Sequence, residues 1–242
     1  MTIREKVRMD IQGLIDNGPI TIVAFGDSVT HGAFGAGEID YDAVYWNQFR
    51  KRINDYRNYV PVNVINAGIG GIDARGSVNR IESQVLKHEP DLVIVCFGLN
   101  DVNGPLENYL DSLKIIFERC SAKTEVVFMT PNMLNTHVIE EDTEERYRAY
   151  AAKTAEMQTN GRMDNYMESA VTLAESMGVK VCNCYAKWKE MSKTQDITLL
   201  LDNRINHPTR EMHQLFADML FETVFSQTGE FAENDNTMYV EK

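Results

Sequence analysis

The stretch Ile20-Thr21-Ile22-Val23-Ala24-Phe25-Gly26-Asp27-Ser28-Val29-Thr30-His31-Gly32 sets the architecture. Its apolar and β-branched run from Thr21 to Phe25 reads as a buried strand, and Gly26 ends the run where Asp27-Ser28 opens a tight turn. A serine there sits at the C-terminal edge of a first strand, the edge at which open α/β sheets bind ligands, so Ser28 is a candidate nucleophile. The same pair reads with equal weight as a helix cap, because Asp and Ser side chains satisfy free backbone N–H groups.

Working outward, Ile3 to Asp16 reads as an amphipathic helix through Val7, Ile11, Leu14 and Ile15, closed by Asn17-Gly18-Pro19. Downstream, Tyr45, Trp46, Phe49, Ile53 and Tyr56 recur at helical spacing, and Val60 to Ala67 runs as a second strand into Gly68-Ile69-Gly70-Gly71. A helix over Ala74 to His88 ends at Glu89-Pro90, and Asp91 to Phe97 is the plainest strand in the chain, ending in Gly98-Leu99-Asn100-Asp101. Helix Leu106 to Cys120 and strand Glu125 to Thr130 follow, then helices over Glu140 to Gln158 and Arg162 to Met177. Two helices are one more than a crossover needs, so the first reads as an insertion over the sheet edge, either a lid or a solvated hairpin. Val179 to Cys184 is a fifth strand, followed by a short helix from Tyr185 to Ser192, a loop from Leu199 to Pro208 and an amphipathic helix from Thr209 to Phe225. This alternation predicts an α/β fold, a five-stranded parallel sheet with helices on both faces. Residues 1–228 are expected to form a single domain, and 229–242 a polar, acidic C-terminal tail.

With 242 residues and 43% hydrophobic content the chain has material for a real core. Its formal net charge of -12 repels polyanions, which argues against nucleic acid or an anionic membrane as partner. The N-terminus lacks the apolar core and cleavage site of a signal peptide, and no stretch is apolar enough to span a bilayer, so a cytoplasmic location is expected. Cys96, Cys120, Cys182 and Cys184 read as reduced core cysteines. Cys182 and Cys184 would share one strand face, without further ligands at metal spacing.

Serine-based acyl transfer needs a base, donors for the oxyanion and commonly a carboxylate to orient the base. Ser28 supplies the nucleophile and one backbone N–H, Gly71 a second N–H, Asn100 a side-chain amide, and His207, just before the last helix, the best base. His31 lies too close to Ser28 in sequence to reach back easily, His88 ends a helix, His137 is in a loop, and His213 falls inside the final helix.

These residues resemble the SGNH hydrolases, the GDSL esterase and lipase superfamily. Gly26-Asp27-Ser28 with Thr30 and Gly32 is similar to the family's first block, Asn66 to Gly71 to its second, Gly98 to Asp101 to its third, and His207-Pro208 to the end of its last. The resemblance implies a three-layer, flavodoxin-like sandwich, with Ser28 as nucleophile, His207 as base, and Gly71 and Asn100 completing the oxyanion hole with Ser28 N–H. It implies no metal or organic cofactor, and a small-molecule ester as substrate. The family's aspartate three residues before the histidine is replaced by Arg204, which cannot accept a hydrogen bond. Asp202 is therefore expected as the acid that orients His207. A backbone carbonyl or Asn203, orienting a Ser-His dyad, is the alternative.

The expected activity is hydrolysis of short-chain or acetyl esters, with lysophospholipase or thioesterase action as alternatives. A non-catalytic binding relative is a further reading. A dinucleotide site at Gly68-x-Gly70-Gly71 is disfavoured, because Asp73 stands where a third glycine belongs and the turn follows the second strand, not the first.

Overall fold

The computed structural model describes residues 1–35 and 37–225, so the expected tail at 229–242 lies outside the described residues. In chain order the main elements are α1 (Ile3–Val7), α2 (Ile11–Asn17), β1 (Ile20–Gly26), α3 (Ser28–His31), α4 (Tyr45–Tyr56), β2 (Val62–Asn66), α5 (Ala74–Ser77), β3 (Leu92–Cys96), α6 (Leu106–Ser121), β4 (Glu125–Met129), α7 (Glu145–Thr159), α8 (Arg162–Ser176), β5 (Lys180–Cys182), α9 (Cys184–Met191) and α10 (Arg210–Phe225). The five strands form an all-parallel sheet in the order β2-β1-β3-β4-β5.

In β1 and β3 every residue but Thr21 is buried, as expected of central parallel strands covered on both faces. On one face α4 and α10 pack against each other, α4 also on β2 and α10 on β5; on the other, α6 packs against α5, α8 and β4. The sandwich is thus three layers deep, as the alternation implied. The chain reverses direction across the sheet between β1 and β3, and the crevice beyond their C-terminal ends is the switch point where such sheets bind ligands. Ser28 follows β1, Gly71 follows β2 and Asn100 follows β3, so three loops of interest converge there.

Three local expectations are corrected. The helix read over Ile3 to Asp16 is two helices, because the Asp10 carboxylate accepts from Gly13 N–H (2.8 Å) and caps a new one. Its apolar stripe is split as well: Val7 is buried while Ile11 and Ile15 are exposed. The helix read over Ala74 to His88 keeps one α-helical turn and continues as 3₁₀ and π turns, with Ile81 and Val85 both buried. It stops at Glu89, which leaves the helical region at a left-handed φ of 47°, directly before Pro90, which has no N–H to carry a helix on. Finally, β5 ends at Cys182 because Asn183 caps α9 through Ala186 N–H (3.0 Å). Cys182 and Cys184 thus lie on different elements, with sulfurs 3.6 Å apart, and all four cysteines are free and buried. Among the described residues no helix is long and apolar enough to cross a membrane.

Candidate active site

The helix-cap reading of Asp27-Ser28 holds for Asp27. Asp27 is the N-cap of α3, its Oδ1 accepting from Val29 N–H at 3.0 Å, and Ser28 is the first helical residue. The cap turns the chain sharply at the end of β1 and leaves the Ser28 N–H in a first turn, where backbone donors have no partner within the helix. Asp27 is fully buried and its Oδ2 has no hydrogen-bond partner, so burial, aided by the charge of Asp101, pushes its carboxyl up to about 7.

His207 Nε2 lies 3.0 Å from Ser28 Oγ. The turn that delivers the histidine is built on Asn203, whose Oδ1 accepts from the backbone N–H groups of Ile205 (3.0 Å), Asn206 (2.9 Å) and His207 (2.9 Å). The other ring nitrogen, Nδ1, is 2.7 Å from the carbonyl oxygen of Phe34. With Nδ1–H donating to that carbonyl, Nε2 presents its lone pair to the serine hydroxyl. Burial holds the His207 imidazole below its usual range, against the opposing pull of the Phe34 carbonyl and the Asp202 charge.

The position expected of Asp202 is therefore taken by a backbone carbonyl. Asp202 anchors the turn through its own N–H to His207 O (2.7 Å), and its carboxylate faces Arg210 Nη1 at 3.8 Å. Asn203 shapes the turn and does not bond the imidazole. Arg204, where the family pattern has an acid, points away to Asp142 (2.9 Å) and to the carbonyls of Leu199 and Leu201. Sequence reasoning named a backbone carbonyl as the alternative but had no means of choosing Phe34, since every residue carries one.

Gly71 adopts φ 78°, a left-handed conformation glycine takes without strain, and lines the cleft together with Ser28, Asn100 and His207. Asn100 Nδ2 donates to Ile72 O (3.0 Å), which anchors the loop carrying Gly71 and leaves the amide a second N–H. Asp101 Oδ1 accepts from Ala74 N–H (2.9 Å), a second tie between the same two loops, and burial pushes this carboxyl too up to about 7. Among the remaining histidines, His31 lines the cleft and accepts from Gly70 N–H (3.3 Å), while buried His213 accepts from Tyr45 N–H (3.0 Å).

The cleft measures about 550 Å³. Part of its lining comes from the extra helix: Tyr147 and Tyr150 of α7, with Asp142, Thr143 and Glu144 before it, line the cleft together with Ile39 and Ile205. The insertion, read as either a lid or a solvated hairpin, thus contributes lining to the cleft. These wall residues carried no motif; the signal that could have found them was the surplus helix itself.

A family model described as GDSL-like lipase/acylhydrolase matches residues 24–215. The chain belongs to the GDSL-like lipase/acylhydrolase family. This GDSL-family hydrolase is 25% identical over 191 residues to a GDSL esterase/lipase of Arabidopsis thaliana, covering 72% of this chain and 73% of the relative. Its fold is similar to that of a variant of Axe2, an acetyl-xylooligosaccharide esterase of Geobacillus stearothermophilus, with TM-score 0.67 and 21% identity over 88% of this chain and 96% of that one. A GDSL-like lipase structure from Parabacteroides merdae matches with TM-score 0.66 and 18% identity, over 85% of this chain and 95% of the other. The family and the fold together mark the GDSL-family chain as an ester-cleaving hydrolase.

Proposed function

We propose that this GDSL-family hydrolase cleaves short-chain or acetyl carboxylic esters, including those of carbohydrates, through an acyl-enzyme on Ser28. The 3.0 Å contact between Ser28 Oγ and His207 Nε2, at the floor of a cleft that Gly71 and Asn100 also line, carries this reading. Ser28 Oγ attacks the ester carbonyl carbon as its proton passes to His207 Nε2, and the carbonyl electron pair moves onto oxygen. The Ser28 N–H, the Gly71 N–H and the second N–H of Asn100 Nδ2 receive that oxyanion. Collapse breaks the bond to the leaving alkoxide, which takes the proton from His207. Water then adds to the acyl group with His207 again as base, releasing the acid and restoring the Ser28 hydroxyl.

Phe34 O, not a carboxylate, orients the base in this reading, so the unit is a Ser-His dyad with Asp202 acting through its charge. The expected result for Asp202→Asn is a loss in kcat below about tenfold, against the roughly 10⁴ that removing a triad aspartate costs. Because the Asp202 charge favours the imidazolium, the acid limb of kcat/KM, which burial of His207 already holds below the ordinary histidine range, should move to lower pH in this variant. A loss near 10⁴ would restore Asp202 as the triad acid.

Charge supports the acetyl-ester reading over the thioesterase and lysophospholipase alternatives. Asp142, Glu144 and Asp202 line the cleft, each paired with an arginine (Arg204, Arg146 and Arg210), and among the described residues lining it there is no lysine or arginine to receive a phosphate. A coenzyme-A thioester or a lysophospholipid would bring a phosphate that no cation of this lining receives. The test is a chain-length series of aryl esters beside acetylated xylo-oligosaccharides and an acyl-coenzyme A. Acetyl and short acyl esters should give the highest kcat/KM; a preference for long chains or for the thioester would overturn the assignment.

A further inference from the structure

Arg210 opens α10, where its positive charge opposes the helix dipole, so its position does nothing for the helix it starts. Its contacts lie instead on the loop that follows α3. Nε bonds Asp40 Oδ2 at 2.9 Å, Nη2 bonds Glu38, and the guanidinium lies over the Phe34 ring, 4.6 Å from its centroid. The loop is closed on itself by a bridge between Ala33 and Ile39 and by Phe34 N–H donating to Glu38 O (3.0 Å). The Phe34 ring is fully buried, with His213 on another side, ring centroids 4.6 Å apart. His207 and Arg210, three residues apart, therefore grip this loop from one short segment: the imidazole at the Phe34 carbonyl, the guanidinium at the Phe34 ring and at Asp40.

We propose that Arg210 is a positioning residue for the catalytic base: it latches the loop after α3 so that the Phe34 carbonyl stays at Nδ1 of His207. This rests on the Ser28–His207 reading above. The chemistry suits the task. A carbonyl is uncharged and sits on a loop, so it orients an imidazole only as well as the loop is held, whereas a triad carboxylate also draws the imidazolium electrostatically. Arginine supplies a stacked plane and a multidentate fork at once, which lysine cannot. Arg210 Nη1 also faces Asp202, so the one cation sits between the carboxylate and the loop that displaces it from Nδ1.

The test is steady-state kinetics on a short aryl ester, together with the rate of inactivation by a serine-directed phosphonate, in full-length Arg210→Ala and Arg210→Lys. Arg210→Ala should lower kcat by about 10- to 100-fold, as a displacement near 1 Å does, with KM within about twofold and phosphonate inactivation slowed in parallel. Arg210→Lys should recover only part of this. The charged and titratable groups around His207 are Asp202 and Arg204 in its own loop, His213 and Arg210 on α10, and Glu38 and Asp40 on the latched loop. Among them Arg210 alone pairs with Glu38, Asp40 and Asp202. The slower first-order rate of phosphonate inactivation belongs to the folded molecules only, so a loss of folded protein does not reproduce it. Glu38→Gln/Asp40→Asn tests the same latch if Arg210→Ala fails to fold, and should show the same fall in kcat at unchanged KM. Parent-like kcat and inactivation rate in Arg210→Ala, or in the double variant, would overturn the latch. Absence of Ser28-dependent labelling in the parent chain would overturn the hydrolase reading beneath it, so the two failures are distinguishable.

Discussion

Ser28→Ala is expected to lower kcat for ester hydrolysis by roughly 10⁶ and to abolish labelling by a serine-directed phosphonate, while the protein stays folded. The magnitude is that of deleting a nucleophile from a unit that works only as a whole. The remaining groups, Gly71, Asn100 and His207, still bind and polarise an ester, but water attacking in place of a held Oγ loses the advantage of a nucleophile fixed beside its base. The fold should tolerate the change: Ser28 Oγ has His207 Nε2 as its hydrogen-bond partner, and the cap on α3 is made by Asp27, not by Ser28. Circular dichroism and a melting curve close to the parent would establish that the lost activity is chemical. Labelling or turnover persisting in Ser28→Ala would remove Ser28 as the nucleophile and with it the acyl-enzyme.

The second large effect is expected from a residue that touches no substrate. A Cβ on Gly68 would lie 2.4 Å from His31 N and 2.6 Å from the Thr30 carbonyl carbon, both backbone atoms of α3 and therefore unable to rotate aside. Gly68→Ala forces the loop after β2 away from the helix that carries Ser28. It also strains the tie from Asn66 Nδ2 to His31 O (3.1 Å). Overpacking of this kind costs about 1–3 kcal/mol, or roughly 2–4 °C in Tm for each kcal/mol in a chain of this size. Activity should fall further than stability, by about 100-fold in kcat, because α3 and the Gly71 loop move apart by a distance near 1 Å, which catalysis does not tolerate. Gly70→Ala is the control for stability, since a Cβ there meets His31 Nδ1 at 3.7 Å and Ser28 Cβ at 3.8 Å, ordinary contacts. A Gly68→Ala protein with parental Tm and kcat would mean that the two loops are not rigidly coupled.

The close approach behind that prediction explains the first glycine of the second block: at Gly68 the loop after β2 passes against α3 at backbone distance. Residue type and order made Ser28, Gly71, Asn100 and His207 legible, because each belongs to a side-chain or glycine pattern that few other contexts produce. The wall of the cleft was less legible. Tyr147 and Tyr150 look in the sequence like any helix-spaced aromatics, and only the surplus of one helix between strands hinted that something crosses the sheet edge. The break at Asp10 was hidden by apolar spacing that runs through it. An aspartate between Met9 and Ile11 reads as part of the polar face of one amphipathic helix until its carboxylate is seen capping Gly13.

The alternation of buried strands and amphipathic helices, and with it the parallel sheet and the edge where its loops gather, follows from periodicity and from glycine and proline punctuation, which are local properties of the chain. The partner of His207 does not. Asp202 stands five residues before the histidine and reads as the natural acid, yet Nδ1 goes to Phe34 O, 173 residues away in the chain. A carbonyl oxygen has no residue-type signature, and which one reaches an imidazole depends on how a loop is folded and held. Here that depends on a buried Phe34 ring, a bridge from Ala33 to Ile39 and an arginine lying across them. Packing brings those three together only in the folded chain.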